Sequence, residues 1–362
     1  MTGHLHLGVA LDGYGWHPEA WRHTPDGESV TSGRYWSHLA TTAERGVLDF
    51  VTFDDALTPQ RRRRAEIEPR WLAGRPDAVL IASRVAPATH HIGLIPVATV
   101  THTEPFHVSK AIATLDFVSR GRAGWQVRVS GTQHEAELFG RRDISGVDLF
   151  DEASDAVEVA RRLWDSWEDD AVIRDATTGR FIDRDKLHYI DFVGKYFSVK
   201  GPSITPRSPQ GQPVVAALAH ARPAYEFAAR SADLVFVTPA DDGGLRSILD
   251  ELTQAGGKVL KIYADVLVSF SGITDPRSDA VVFDGTPADL VHLIVQWQQA
   301  GIDGIRLRPS VNATDLPVIV DEVVPILQRA GLFRTAYDDG ETLRERLGLP
   351  VAENRYAKAG QS

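Results

Sequence analysis

Apolar residues recur along the chain with two periods, one of two residues and one of three to four. Leu5, Leu7, Val9 and Leu11 alternate with other residues, which predicts a first strand. Trp125, Val127 and Val129 alternate with Gln126, Arg128 and Ser130, which predicts another, entered through a Gly-Arg-Ala-Gly turn at 121–124. Residues 49–55, 92–100, 214–218, 234–237, 261–270 and 304–307 read as six more strands, the first of these ending in carboxylates. Helical spacing fills the intervals at 32–46, 76–86, 106–118, 148–167, 223–231, 244–255, 286–300 and 316–330. The fourth of these is amphipathic, with Val157, Ala160, Leu163, Trp164 and Trp167 on its buried side. Thr286-Pro287-Ala288-Asp289 is a helix start: threonine at the cap, proline next, an acid in the first turn. Arg120 and Arg122 suit a helix C-terminus, and Gly121 or Gly124 supplies the positive φ that stops the helix.

Eight strands alternating with eight helices in one chain of 362 residues predict a closed (β/α)8 TIM barrel, a single domain over 1–362. A doubly wound open sheet is the lesser option. Residues 168–212 break the rhythm with the acids Glu168-Asp169-Asp170, a hairpin-like pairing of Phe181 with 196–199, and a Pro/Gly-rich run. Because the alternation resumes at once, this region reads as an excursion on the barrel surface rather than a linker.

Hydrophobic residues make up 43% of the chain, enough for a substantial core, and the net charge of −10 argues against nucleic-acid or anionic-membrane partners. The absence of cysteine removes thiolate metal sites, thiol nucleophiles and disulfides together. No apolar run approaches membrane-spanning length and the N-terminus lacks a signal-peptide pattern, so a cytoplasmic protein is expected. The run Arg61 to Arg64 lacks interleaved aromatics and reads as a solvated loop. Neither His102, Glu104 and His107 nor His4 and His6 have a recognised ligand spacing, so no metal is expected.

Leu115-Asp116, then Ser119-Arg120-Gly121-Arg122-Ala123-Gly124-Trp125, resembles a segment of the bacterial-luciferase-like flavin monooxygenases. Three further stretches are similar to the branch of nitrilotriacetate and dibenzothiophene-sulfone monooxygenases. They are 92–108, then Leu163-Trp164-Asp165-Ser166-Trp167 on to Gly194-Lys195-Tyr196-Phe197, and Gly331-Leu332-Phe333-Arg334-Thr335-Ala336-Tyr337 on to Asn354-Arg355-Tyr356. The resemblance implies a barrel that binds reduced FMN at the C-terminal ends of its strands. A separate flavin reductase supplies that cofactor, which with O2 oxygenates a small-molecule substrate at carbon, nitrogen or sulfur. Such a protein needs few catalytic side chains, because the cofactor carries the difficult chemistry. The resemblance also implies a homo-oligomer.

By the same resemblance Asp54, Thr99 and Gln126 would hold the flavin ring. Gln126 stands for the usual asparagine, and Arg128 for an apolar residue. The family's Gly-Ser-Ser-like phosphate turn is here Ala219-His220-Ala221-Arg222-Pro223. Its phosphate would fall to the helix N-terminus at Ala221 with Arg222 or protonated His220, and Phe150 replaces a tyrosine there. Trp16, His17 and His102 would line the substrate side, with His17 and His102 as candidate proton donors because histidine titrates near neutrality. The connection 271–285 is shorter than is usual for the family, which implies a reduced active-site cover. Together with the altered phosphate turn and Phe150, it leaves a second reading, a barrel that has lost tight flavin binding and serves as a non-catalytic partner subunit.

Overall fold

A computed structural model describes residues 5–59, 68–140, 142–256 and 260–357. The arginine run 61–64 and His4 lie outside the described residues. Eight parallel strands close on themselves: β1 (His6–Leu11), β2 (Phe50–Phe53), β3 (Gly93–Thr99), β4 (Gly124–Arg128), β5 (Val214–Ala219), β6 (Leu234–Val237), β7 (Lys261–Val268) and β8 (Gly304–Pro309). Each pairs with the next, and β8 returns to β1 with His6 opposite Gly304. The predicted (β/α)8 barrel is the observed fold.

The helices are α1 (Gly33–Arg45), α2 (Ala78–Val85), α3 (Pro105–Ser119), α4 (Gln133–Phe139), α5 (Leu149–Asp165), α6 (Arg222–Ser231), α7 (Asp242–Ala255), α8 (Pro287–Ala300), α9 (Asn312–Val318), α10 (Val324–Arg329) and α11 (Leu343–Arg346). Their starts follow local chemistry. Ser32, Asp77 and Asp148 cap α1, α2 and α5 through side-chain oxygens, and Thr286 with Asp289 forms the reciprocal box that opens α8. The last barrel helix begins four residues earlier than its spacing predicts and widens at Ile319–Val323 before α10. At the end of α3, Arg120 itself takes the left-handed conformation (φ 58) followed by Gly121 (φ 84), while Gly124 begins β4.

Period-two alternation sorts each strand into two environments. Leu7, Val9, Leu11, Val51, Leu94, Trp125, Val127, Ile305 and Leu307 point outward into the helix layer. Phe50, Ile95, Val214, Leu234, Phe236 and Tyr263 point inward and fill the lower lumen, where Leu343 and Leu347 of the C-terminal segment close the floor. Gly8 and Gly93 make room for this packing: a Cβ on Gly8 would meet the Phe50 ring at 2.2 Å, and one on Gly93 would meet Leu343 at 2.5 Å. Each fully buried side chain of this size contributes on the order of 1.5–3 kcal/mol.

The excursion at 168–212 differs in detail from its sequence reading. Phe181 does not pair with 196–199. Two separate hairpins form, Val172–Asp175 with Arg180–Ile182 and Phe192–Val193 with Ser198–Val199. Arg207 fastens the region to the barrel by donating to Asp165 (3.2 Å) and to the carbonyl of Ala352 (2.6 Å). The short connection after β7 adds an unforeseen strand, Val281–Phe283, parallel to the upper end of β7. That strand places Asp279, just before it, at the barrel mouth.

Candidate active site

The upper lumen is polar because the inward register of four strands carries hydroxyl, amide or ionisable side chains: Thr52 on β2, Gln126 on β4, Asp265 on β7, and Arg306 and Arg308 on β8. Arg306 spans the lumen. Its Nε and Nη2 donate to the two oxygens of Asp265 at 2.7 and 2.6 Å, and its Nη1 donates to Gln126 Oε1 at 2.7 Å. Its guanidinium also lies over the Phe236 ring, 3.5 Å from the centroid, so the charged layer rests directly on the apolar floor. One turn of the pleat higher, Arg308 donates to the same Asp265 and, at 2.7 Å, to Asp279. Burial alone would lower both guanidinium pKa values. For Arg306 burial prevails over Asp265, whereas Asp265 and Asp279 together hold Arg308 above its ordinary value.

Two more arginines meet at the rim. Arg75, from the loop before α2, binds Asp54 and reaches Asp12 at 3.2 Å. Arg128, beside Thr99 in the β3–β4 register, lies 3.5 Å from Asp54 and donates to the carbonyl of Asp55. Burial would raise the Asp54 carboxyl, but Arg75, then Arg128, hold it below the usual carboxylate range. Asp54, Thr99 and Gln126, the residues expected at the ring, therefore share one mouth with Arg128. Asp54 and the Gln126 carbonyl oxygen are already engaged by arginines. Three donor groups remain without an acceptor among the described residues: the Thr99 hydroxyl, Gln126 Nε2, and the Nε and Nη2 of Arg128. An acceptor-rich heteroaromatic ring such as flavin fits that set.

Trp16 enters the wall of the mouth. Its backbone N–H donates to Pro309, its indole N–H to the Ala10 carbonyl, and Arg308 lies 4.4 Å over its ring. His17 uses Nδ1 to accept from the Glu19 N–H at 3.1 Å, which leaves the proton of the neutral ring on Nε2. His102 sits on the β3–α3 loop in the left-handed region (φ 68), stacked on Phe139 of α4 at 5.2 Å. The two histidines thus belong to different loops, and the loop geometry around each accounts for its placement. Among the described residues, no group of three or more His, Asp or Glu is placed to hold a metal ion.

The expected phosphate residues are arranged otherwise. Ala221 caps α6 without a side-chain bond, Pro223 lacks an N–H, and the N–H groups of Ala224 and Tyr225 both donate to Ala221. Arg222 folds back on Glu226 at 2.9 Å. His220 bonds Thr238 at 2.8 Å and approaches Asp279 at 3.6 Å, and burial lowers its pKa. Phe150 does come beside α6, its ring 5.9 Å from Phe227, on an open cleft of about 460 Å3 shared with Asp148, Asp151, Pro223, Glu226 and Arg230. Carboxylates outnumber free cations there, so the cleft does not fit a phosphate dianion.

The sequence reading did not identify Arg75, Asp265, Asp279, Arg306 and Arg308 as site residues. For Asp265, Arg306 and Arg308 a signal existed: ionisable residues at the inward positions of otherwise apolar strands, Lys-Ile-Tyr-Ala-Asp-Val-Leu-Val and Gly-Ile-Arg-Leu-Arg-Pro.

The model of one protein family, luciferase-like monooxygenase, matches residues 16–282. N-acetyl-S-(2-succino)cysteine monooxygenase of Bacillus subtilis is 32% identical over 98% of each chain. Nitrilotriacetate monooxygenase component A of Aminobacter aminovorans is 28% identical, again over 98% of each. The first alignment runs to 441 positions, so that relative carries inserted segments which this chain lacks. Among solved structures, a long-chain alkane monooxygenase superposes with a TM-score of 0.84 at 25% identity, covering 96% of both chains.

Proposed function

The chain belongs to the luciferase-like monooxygenase family, and we propose that it is the oxygenating component of a two-component system. In this reading it takes reduced flavin from a separate reductase and oxygenates a small organic substrate at carbon, nitrogen or sulfur. The observation that carries the proposal is the donor set of Thr99, Gln126 and Arg128 at the C-terminal rim of the barrel, where α/β barrels bind their ligands. The nitrilotriacetate relative is itself named a component A, which supports a separate partner. Reduced flavin with O2 would supply the oxidising chemistry, and the protein's own groups would orient and shield it.

Arg306 and Asp265 lie buried beneath the mouth, directly above the apolar floor at Phe236. Arg75 keeps Asp54 ionised and fixed at the rim. Trp16, with Arg308 over its ring, gives the mouth an aromatic face, and His17, whose Nδ1 accepts from the Glu19 N–H, is the candidate proton donor on that loop. We further propose a cytoplasmic location. No helix among the described residues is long and apolar enough to cross a membrane. We also propose a homo-oligomer, in keeping with Phe181, Tyr189, Val193 and Ile204 exposed on the excursion.

The test is oxygen uptake by the purified protein with a flavin reductase, NAD(P)H and a panel of thioether, amine and alkane substrates, products being followed by mass spectrometry. The expected result is a product heavier by one oxygen atom that depends on both proteins. Labelled oxygen absent from every product across the panel would count against the reading. A second reading, a partner subunit that does not itself oxygenate, is favoured by one observation: arginines already occupy Asp54 and the Gln126 oxygen, two expected ring contacts.

A further inference from the structure

The two ends of the expected flavin site differ in chemistry. The rim offers unpaired donors to a ring, whereas the α5–α6 cleft offers a phosphate almost nothing. At the start of α6 the Ala221 and Arg222 N–H groups are left to donate, because Pro223 has none and the next two turn back to Ala221. No hydroxyl stands at the cap, Phe150 supplies none, and His220 is engaged with Thr238. The cleft carries Asp148, Asp151 and Glu226 against Arg230, and Arg222, outside its lining, is paired with Glu226. A phosphate ester brings roughly −1.5 to −2 charges, which this environment repels.

We propose that the barrel holds its flavin by the ring and leaves the phosphate unanchored, so that riboflavin and FMN bind alike. The inference rests on the flavin reading above and deepens it by naming the form of flavin the site selects. A phosphate gripped by two or three charge-assisted hydrogen bonds would favour FMN by a hundredfold or more, on the order of 3 kcal/mol at 1.4 kcal/mol per tenfold. Here the two dissociation constants should agree within about threefold.

The experiment is anaerobic titration of the full chain with reduced riboflavin and reduced FMN under identical salt. Equal affinities support the inference. FMN binding more than about tenfold tighter overturns it while leaving the flavin reading intact. Binding of neither overturns both. A rebuilt cleft supplies the second arm: Ala221→Ser with Glu226→Gln restores a cap hydroxyl and releases Arg222. It should tighten FMN about tenfold with riboflavin unchanged. An unchanged ratio in that variant would place the phosphate elsewhere and overturn the assignment.

Discussion

The upper lumen and the α5–α6 cleft both gather charged side chains near the barrel's C-terminal face, and they use them in opposite ways. In the lumen, carboxylates serve arginines: Asp265 holds Arg306 and Arg308, and Asp54 holds Arg75 and Arg128. Every charge is buried or half-buried, so each partner is obligatory. In the cleft the pairs are exposed and local, as with Arg222 and Glu226 one helical turn apart, and no charge depends on another for burial. The lesson is that charge content does not mark an anion site. Donor groups mark one only where the protein has left them without acceptors, and those lie at the rim.

The largest effect expected from this contrast is on stability. Asp265→Asn removes the shared counter-ion of two buried guanidiniums and should cost about 3–5 kcal/mol in urea unfolding, whereas Asp151→Asn in the cleft should change little. Similar small losses in both variants would erase the distinction. Next in size, Arg128→Met removes the half-exposed rim donor. It should weaken reduced riboflavin and reduced FMN equally, by about tenfold, because a hydrogen bond from a charged group contributes on the order of 1.5 kcal/mol or more.

A smaller effect is tied to acid. The folded-state pKa of Asp54 lies below its ordinary value, because Arg75 and Arg128 outweigh the opposing effect of burial. Its ion pairs therefore add stability above about pH 4, and this is lost as the pH falls from there through the depressed value. Asp54→Asn should thus be less stable than the parent at pH 7, and the gap should narrow steadily in denaturant melts taken below pH 4. A gap that widens in acid would reverse the sign and remove the arginine pairing as its cause. The smallest effect belongs to Arg222→Ala, which should leave the melting temperature and both flavin affinities unchanged. A selective loss of FMN affinity would return Arg222 to the phosphate.

Fold and site were legible in the sequence to different depths. The strands could be read because their outward faces pack on helices and must be apolar at every second position, as at Leu7, Val9 and Leu11. Helix starts were legible at the single-residue caps Asp77, Asp148 and Thr286, whereas Thr132, which caps α4 in the same way, was not read as one. The lumen was harder. Whether Arg306 faces inward is fixed by parity, but its contact with Gln126 joins β8 to β4 and exists only once the barrel closes. Asp279 and Arg75 arrive from connections whose path no local pattern specifies. The cleft was half legible: the changed turn at 219–223 could be seen, while the pairing of Arg222 with Glu226 required the helix to form.

The central claim is that the rim of this barrel receives reduced flavin, and anaerobic titration comparing reduced with oxidised FMN tests it most directly. Reduced flavin can carry a negative charge on its ring, which the Arg128 guanidinium would favour. The account predicts saturable binding of the reduced form, tighter than that of the oxidised form. Binding of neither form would contradict it and leave the barrel as a partner subunit.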